Sequence, residues 1–267
     1  MTYLLGFLLA ALPHHPANTG SNLADTKVKP LNVLYITGGG YHDYVNQEII
    51  LREGLSKRAN ITWTTWRAKK TKHGVPTLYL KKDWAKPYDI VIHNGCLENI
   101  SAGGEKTVAE IVKEHQKAGL GVVVIHCAMH TYRSDQSGEW ERLTGIHSVR
   151  HGAHFPFVVK KLKDHPVMAG VPATWETPKG ELYHTKAIKN TVPLAEGFKK
   201  SDPKGTRQVN IWVSKHGPIR TFGTTIGHYN ETMKMKVYLD IVARGMLWTV
   251  DQLNADGTPK AGFGPSK

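Results

Sequence analysis

The sequence predicts an α/β fold in which βαβ units build a doubly wound, mainly parallel sheet. Short apolar runs that end in polar or glycine-containing turns alternate with amphipathic segments through the first half of the chain. This is the pattern of strands joined by crossover helices. The run at residues 121–126 (GVVVIH) has no polar side chain before its final histidine. A strand without a polar face is typical of the centre of a parallel sheet.

The remaining elements follow from the same kinds of pattern. Residues 31–36, 61–66 and 88–93 are rich in β-branched, aromatic and aliphatic side chains, so we predict strands there. Positions 108, 111, 112 and 115 recur at helical spacing ahead of Gly119, which indicates a helix with a glycine C-cap. In full, we predict further strands at residues 155–159, 192–195, 209–213 and 219–225, and helices at residues 46–59, 104–118 and 234–248.

The composition is that of a globular protein with a sizeable core. Of 267 residues, 40% are hydrophobic and 21% are charged. No apolar run reaches the roughly 18 residues that span a bilayer, so we expect no transmembrane segment. The formal net charge of +13 favours polyanionic partners. The lysines are scattered, however, and the densest basic run, residues 67–72, carries no nucleic-acid motif. We therefore expect no nucleic-acid partner.

The two ends of the chain differ from its middle. Residues 3–12 (YLLGFLLAAL) have the length and apolarity of a signal-peptide core, and a polar stretch of small residues follows. No lysine or arginine precedes the run, so a mis-set start codon or a short anchor is the alternative. We expect residues 1–28 to be a leader, residues 29–251 to form one domain and residues 252–267 to be a loose tail. The mature protein would be periplasmic or secreted.

Histidines follow four of the predicted strands. Ligands of open α/β sheets bind beyond the carboxyl ends of the strands, and His42, His93, His126 and His228 fall there. Any one of them is better explained as a hydrogen-bonded strand terminus, but their convergence would make a metal or acid–base site. We predict that His42, His126 and His228 bind a divalent transition metal. Zinc is the first expectation, with nickel, copper or iron as alternatives.

Cys127 directly follows the central strand, where a strand–turn–helix elbow would present a nucleophile. With His228 and Glu231 it would form a Cys-His-Glu triad. A small buried thiol that merely packs is the favoured alternative, because the elbow lacks flanking glycines. Cys96 is the only other cysteine, and two cysteines do not make a disulfide framework, although one bridge remains open.

A second polar group lies at Glu181, Tyr183 and His184. In an extended segment Glu181 and Tyr183 share one face and His184 points away. Carboxylate, phenol and imidazole together suit a hydroxyl-rich substrate such as a sugar, and a surface hairpin is the alternative. His147, His151 and His154 surround Arg150 and would bind an anion or line a loop; we favour the loop.

These residues resemble the ThuA-like, trehalose-utilisation family, a branch of the class I glutamine amidotransferase-like fold. The resemblance covers residues 32–248. It is carried by Tyr41-His42-Asp43, Val124-Ile125-His126-Cys127-Ala128, Asp164-His165-Pro166-Val167, Gly170-Val171-Pro172, Glu181-Leu182-Tyr183 and Gly223-Thr224-Thr225-Ile226-Gly227-His228. It implies a flavodoxin-like sheet with helices on both faces and a pocket around His126, Glu181 and His228.

The resemblance also implies a substrate class, because ThuA-like proteins are associated with disaccharide catabolism beside dehydrogenases that make 3-keto sugars. We therefore expect an enzyme that acts on glycosides or 3-keto-glycosides by hydrolysis, elimination or isomerisation. Glu181 or His184 would move the proton, and Tyr41, His130, Tyr183 and Glu231 would contact the sugar. A non-catalytic sugar-binding module and a Cys127-dependent amidase or hydrolase are the alternatives. A homo-oligomer is compatible with the sequence.

Overall fold

The computed structural model describes residues 28–68, 76–97 and 106–266, and a nine-stranded sheet runs through them. Its strands are, in chain order, β1 (Leu31–Gly39), β2 (Ile61–Arg67), β3 (Ile90–Cys96), β4 (Gly121–Ile125), β7 (Phe157–Lys161), β8 (Thr174–Glu176), β11 (Thr191–Lys199), β12 (Gln208–His216) and β13 (Ile219–Thr224). Two short pairs lie outside it: β5 (Ile146–His147) with β10 (Lys186–Ala187), and β6 (His151–Phe155) with β9 (Gly180–Tyr183). The helices are α1 (Tyr44–Ser56), α2 (Val108–Ala118), α3 (Glu139–Thr144), α4 (Asn230–Met233) and α5 (Lys236–Thr249).

The parallel half of the sheet has the order β2-β1-β3-β4-β13, and β12, β11, β7 and β8 extend it in antiparallel fashion. The predicted doubly wound α/β sheet is confirmed. Strand β1 shows why both faces need helices. Val33 and Tyr35 pack on the side of α1 and α5, whereas Leu34 and Ile36 pack on the side of α2 and α3. Since neither face is polar, each must be covered.

Helix α2 ends at the predicted glycine C-cap, and the structure adds a capping box at its start. Thr107 accepts from the backbone N–H of Glu110, and the Glu110 carboxylate accepts from the backbone N–H of Thr107. This reciprocal capping box satisfies two donors that the first helical turn leaves unpaired. At the other end, Gly119 adopts a left-handed backbone with φ of 67°, a conformation that glycine tolerates without a Cβ clash.

The predicted strand at residues 155–159 is divided in the structure. Phe155 ends β6, and β7 begins at Phe157. Pro156 separates them, since proline has no backbone N–H to donate to a ladder. The short strands β5, β8, β9 and β10 lie outside the predicted set, although an extended conformation at Glu181 and Tyr183 was expected.

The C-terminal segment, which we expected to be loose, packs against the domain. Leu253 is buried and forms an isolated bridge with Pro259. The carbonyl of Phe263 accepts from the backbone N–H of Asn60 at 3.0 Å, and the Phe263 ring packs on the core. The predicted leader at residues 1–28 lies outside the described residues except for Val28. Among the described residues, no helix combines the length and the apolarity that a membrane span requires.

His93, one of the four strand-end histidines, lies in the core rather than in a cavity. Its Nε2 lies 3.1 Å from Nε2 of His115, whose Nδ1 donates to the carbonyl of Ile111 at 2.7 Å. The His93 ring also packs edge-on against Trp140. Burial holds the pKa of His93 well below its usual range and lowers the pKa of His115 to about 4. Both imidazoles are therefore neutral in the folded protein near neutral pH.

This pair predicts a specific loss of stability in acid. The unfolded chain protonates His115 at about pH 6.5, whereas the folded chain does so only at about 4. Stability therefore falls as the pH drops from 6.5 towards 4, by about 2 kcal/mol at pH 5 for this one imidazole. Urea unfolding at pH 7 and pH 5 should show a smaller difference for His115→Gln than for the wild type. Equal differences in the two proteins would contradict a neutral buried His115.

Candidate active site

A cavity of about 460 Å³ lies at the carboxyl edge of the parallel strands. Its walls come from the segments after β1, β4 and β13 and from the β6–β9 pair. The lining residues are Tyr41, His42, Cys96, Cys127, His130, Arg133, Val149, Arg150, His151, His154, Glu181, Tyr183 and His228. Parallel strands end at one edge, and this is why residues that are distant in sequence meet here. Among the residues that the structure describes, Glu181 is the only carboxylate in the lining.

His42 reaches the cavity from the turn between β1 and α1. Asp43 ends that turn as the N-cap of α1, where its carboxylate accepts from the backbone N–H of Asn46. A second oxygen of Asp43 accepts from the side chain of Asn230, at the start of α4. The loop that carries His42 is thereby tied to the segment that carries His228. The two rings meet edge-on, with centroids 4.7 Å apart.

His126 occupies the sharp turn at the end of β4. Its φ is 56°, a left-handed backbone conformation that is uncommon for residues other than glycine. The strained position of the elbow therefore belongs to His126 and not to Cys127. Gly227 passes close by, and a Cβ at that position would come within 3.0 Å of Ile125. Strain of this kind persists where the surrounding structure over-determines the backbone, as it often does at functional sites.

The β6–β9 pair supplies the other wall, and a β-bulge shapes it. His151 pairs with Tyr183 and His154 with Glu181, so three steps on β6 match two steps on β9. On a regular strand, residues three apart point to opposite faces. The extra residue of the bulge brings both His151 and His154 to the cavity side. On β9 the predicted alternation holds, because Glu181 and Tyr183 line the cavity and His184 is exposed.

Glu181 lies at the centre of the site. Its carboxylate is 2.9 Å from Nε2 of His154, 3.1 Å from Nε2 of His126 and 3.1 Å from Nδ1 of His228. Nε2 of His151 lies 3.5 Å from the same carboxylate, and the hydroxyl of Tyr183 donates to the carboxylate at 3.1 Å. Burial by itself would raise the pKa of Glu181, but His126 and His228 outweigh burial and hold this pKa well below its usual range. A buried negative charge is thus held among imidazoles.

The hydrogen bonding of His126 defines its tautomer. Nδ1 lies 2.6 Å from the carbonyl oxygen of Thr225, which can only accept, so Nδ1 carries the proton. Nε2 then has a lone pair unless the ring is protonated, and a lone pair 3.1 Å from a carboxylate oxygen is repulsive. Although the distance is short, Nε2 makes no hydrogen bond. The arrangement is stable with a cation between the two groups, either a second proton or a metal ion. A backbone carbonyl on the far nitrogen is also the usual support of a metal-binding histidine.

His42, His126 and His228 together fit a metal ion. One ring nitrogen of each lies within 4.8 Å of one from each of the others. Each ring also has a buried nitrogen without a hydrogen-bond partner among the described residues: Nδ1 of His42, Nε2 of His126 and Nδ1 of His228. Buried polar atoms are rarely left unpaired, and imidazole nitrogens suit zinc and related metals. Burial, followed by repulsion from His126 and His228, lowers the pKa of His42 to about 2, so its ring is neutral.

Cys127 is not arranged as the predicted triad requires. Its sulfur lies 3.0 Å from Nε2 of His42 and 3.1 Å from the Tyr183 hydroxyl. Glu231 is exposed in the first turn of α4, and the carboxylate beside His228 is Glu181. Burial raises the pKa of the Cys127 thiol well above its usual range, whereas a nucleophilic cysteine needs a lowered pKa. Cys127 and Cys96 are both buried and unbridged.

The structure brings together most of the residues predicted from sequence. Seven of them line the cavity: Tyr41, His42, Cys127, His130, Glu181, Tyr183 and His228. His126 joins them through its contact with Glu181. His184 and Glu231 are exposed and do not line it.

Sequence reasoning missed six lining residues: Cys96, Arg133, Val149, Arg150, His151 and His154. We favoured a loop for His151 and His154, and that interpretation is wrong because both lie in β6 and contact Glu181. Their three-residue spacing gives no sign of a shared face without the bulge. Their closeness to Arg150 in the sequence was the one available signal.

Comparisons with known proteins agree on the fold. The sequence matches the family model described as ThuA, trehalose utilisation, over residues 32–249. A ThuA-like protein from Parabacteroides merdae has a TM-score of 0.68 at 20% identity, and the match covers 90% of this chain and 98% of that one. The search of curated proteins gave no match. The resemblance and the glutamine amidotransferase-like fold expected from sequence are confirmed.

Two longer carbohydrate enzymes contain a similar fold. The carbohydrate deacetylase Agd3 has a TM-score of 0.51 at 14% identity, and the match covers 85% of this chain and 33% of that one. A β-galactosidase from Rahnella sp. R3 has a TM-score of 0.52 at 12% identity, with 82% and 31% covered. At these identities the likeness shows the fold alone.

The charge of Glu181 should contribute to stability. Glu181→Gln keeps the shape of the side chain but removes the negative charge that faces the imidazoles. We expect urea unfolding at pH 7 to show a loss of about 2 kcal/mol, the usual scale of a hydrogen bond to a charged group. The matched control is Glu176→Gln, which alters a surface pair with Lys200 and should cost less than about 0.5 kcal/mol. A Glu181→Gln protein as stable as the wild type would contradict this account of the site.

Proposed function

Because the chain belongs to the ThuA, trehalose utilisation, family, we propose that it is an exported enzyme of sugar catabolism that removes a proton from a 3-keto-glycoside. The observation that carries the proposal is the buried Glu181 carboxylate, which faces a cavity among imidazoles. A volume of about 460 Å³ suits a ligand of this size.

We further propose that His42, His126 and His228 hold a divalent transition metal, with zinc the first expectation. Such an ion would supply positive charge that polarises a carbonyl oxygen of the substrate. The chain's own contribution is to present three imidazole nitrogens, with His126 oriented by the carbonyl of Thr225. Glu181 lies beside two of these nitrogens and balances the added charge.

Glu181 is the proposed general base. A ketone at C3 acidifies the proton on C2, and a carboxylate at the inner end of the cavity is placed to accept it. The C2–H bond breaks, and its electron pair forms an enolate with C3. The enolate is reprotonated in an isomerisation, or it expels the C1 substituent in an elimination. The Glu181 carboxylate receives the proton in both cases. His154 bridges Glu181 and the hydroxyl of Tyr229, and it provides a path by which the proton passes from the carboxyl group to solvent.

The alternatives differ in what they require of the site. A sugar-binding module of the same fold would bind a sugar saturably without product. A cysteine-dependent hydrolase would require a reactive Cys127, which its burial and raised pKa do not favour. Export rests on the apolar run at residues 3–12, which lies outside the described residues.

Metal content tests the first part of the proposal. We expect untagged protein to bind about one zinc per chain, and we expect His126→Ala and His228→Ala to lose it, because each removes one of three ligands. Elemental analysis after dialysis against buffer measures the stoichiometry. The control is His147→Ala, which alters an exposed imidazole bonded to Glu141. Wild-type protein that stays metal-free but converts 3-keto sugar would contradict the metal role.

Proton exchange tests the base. In deuterium oxide we expect the C2–H signal of a 3-keto-glycoside to disappear in proton NMR, and the parent glycoside without the ketone to remain unchanged. Glu181→Gln should slow this loss by about 10²- to 10⁴-fold, the usual contribution of a general base. His184→Gln distinguishes the other candidate base, and it should exchange at nearly the wild-type rate because His184 lies outside the cavity. Exchange that depends on His184 but not on Glu181 would overturn the assignment.

A further inference from the structure

A chain of three polar contacts runs from His42 to Glu181 through Cys127. Nε2 of His42 lies 3.0 Å from the sulfur of Cys127. The same sulfur lies 3.1 Å from the hydroxyl oxygen of Tyr183, which lies 3.1 Å from a carboxylate oxygen of Glu181. All four side chains line the cavity. The mechanism proposed above gives no role to Cys127 or to its contact with His42.

The number of available protons determines which group donates in each of these three contacts. Three contacts need three protons, and the Glu181 carboxylate supplies none. Tyr183 must therefore donate to Glu181, and its oxygen then accepts from the Cys127 thiol. Because the thiol proton is used in that contact, the sulfur can only accept from His42. The proton of the neutral His42 ring is consequently on Nε2, and Nδ1 carries a lone pair.

We infer that Cys127 is a positioning residue that holds His42 in the Nε2–H tautomer and so presents Nδ1 as a metal ligand. The tautomer assignment does not depend on the proposed function, whereas the metal-binding consequence rests on it. An independent observation agrees with it, because Nδ1 of His42 is buried and no group in the described part of the chain bonds to it. The His42 ring also meets the His126 and His228 rings edge-on, each with centroids 4.7 Å apart.

A thiol that supports His42 can be buried at the elbow without the environment that a nucleophile needs. Support from the far nitrogen is what ligating histidines usually receive, and its loss typically weakens metal binding about ten- to hundredfold. In His126 a backbone carbonyl provides that support. In His42 a thiol provides it, and Tyr183 and Glu181 orient the thiol in turn.

The tautomer can be measured without substrate or metal. Nitrogen-15 NMR of metal-free protein reports which ring nitrogen is protonated, and His42→Gln identifies the signals of His42. We expect Nε2–H in the wild type and in Cys127→Ser, which retains one donor and one acceptor. Cys127→Ala should shift His42 towards Nδ1–H. Ser214→Ala is the control, since it truncates a buried side chain that does not line the cavity, and it should leave the tautomer unchanged.

Tyr183→Phe interrupts the same series of contacts at a second point, in case Cys127→Ala does not fold. Without the phenol, the thiol is released to donate to Nε2 of His42, so the proton of the ring should move to Nδ1. Wild-type protein with Nδ1–H, or an unchanged His42 in every variant that folds, would overturn the inference. A structural role for Cys127 alone would alter stability without moving this proton.

Zinc titration by calorimetry tests the consequence for the metal. We expect Cys127→Ala to bind zinc about ten- to hundredfold more weakly than the wild type, and Cys127→Ser and the control Ser214→Ala to stay within about threefold. The cobalt-loaded protein should show no sulfur-to-metal charge-transfer band, and a band that disappears in Cys127→Ser would make Cys127 a ligand and overturn its positioning role. If the wild type binds no zinc, the proposed function fails, and the tautomer measurement still decides the inference.

Discussion

Glu181 is buried, and its negative charge is the feature around which this edge of the sheet is arranged. Four imidazoles and one phenol surround its carboxylate. A buried and unpaired carboxylate would cost several kcal/mol. The contacts with His126, His228 and His154 offset that cost, and Tyr183 adds a hydrogen bond. The same contacts keep the carboxylate ionised, which is the form that a general base requires.

The backbone bears a cost for bringing these groups together. His126 adopts a left-handed conformation, and a β-bulge turns His151 and His154 to one side. Strain at one such residue is of the order of 1–3 kcal/mol. The doubly wound core can hold these conformations because its central strands are packed on both faces. The rigid sheet edge therefore holds the backbone conformations that the polar pocket requires.

The elbow after β4 holds a strained residue beside a thiol. This chain places His126 at the strained position, with Cys127 next to it. The thiol is buried and contacts His42 and Tyr183. Because a fold does not imply a function, the contacts of Cys127 carry more weight than its position in the sequence. They favour a thiol that orients a neighbouring ring over one that attacks a substrate.

The sequence by itself determined the α/β class, the first four strands, the glycine C-cap of α2 and the expectation that His42, His126 and His228 lie at one edge. These depend on local periodicity and on the rule that parallel strands end together. Tertiary structure decided the rest. It placed His93 in the core, left His184 and Glu231 outside the cavity, and added His151 and His154 through a bulge. It also packed the C-terminal segment onto the domain. Side-chain facing on irregular strands, and the partners of each imidazole, depend on contacts between residues far apart in sequence, which no local pattern encodes.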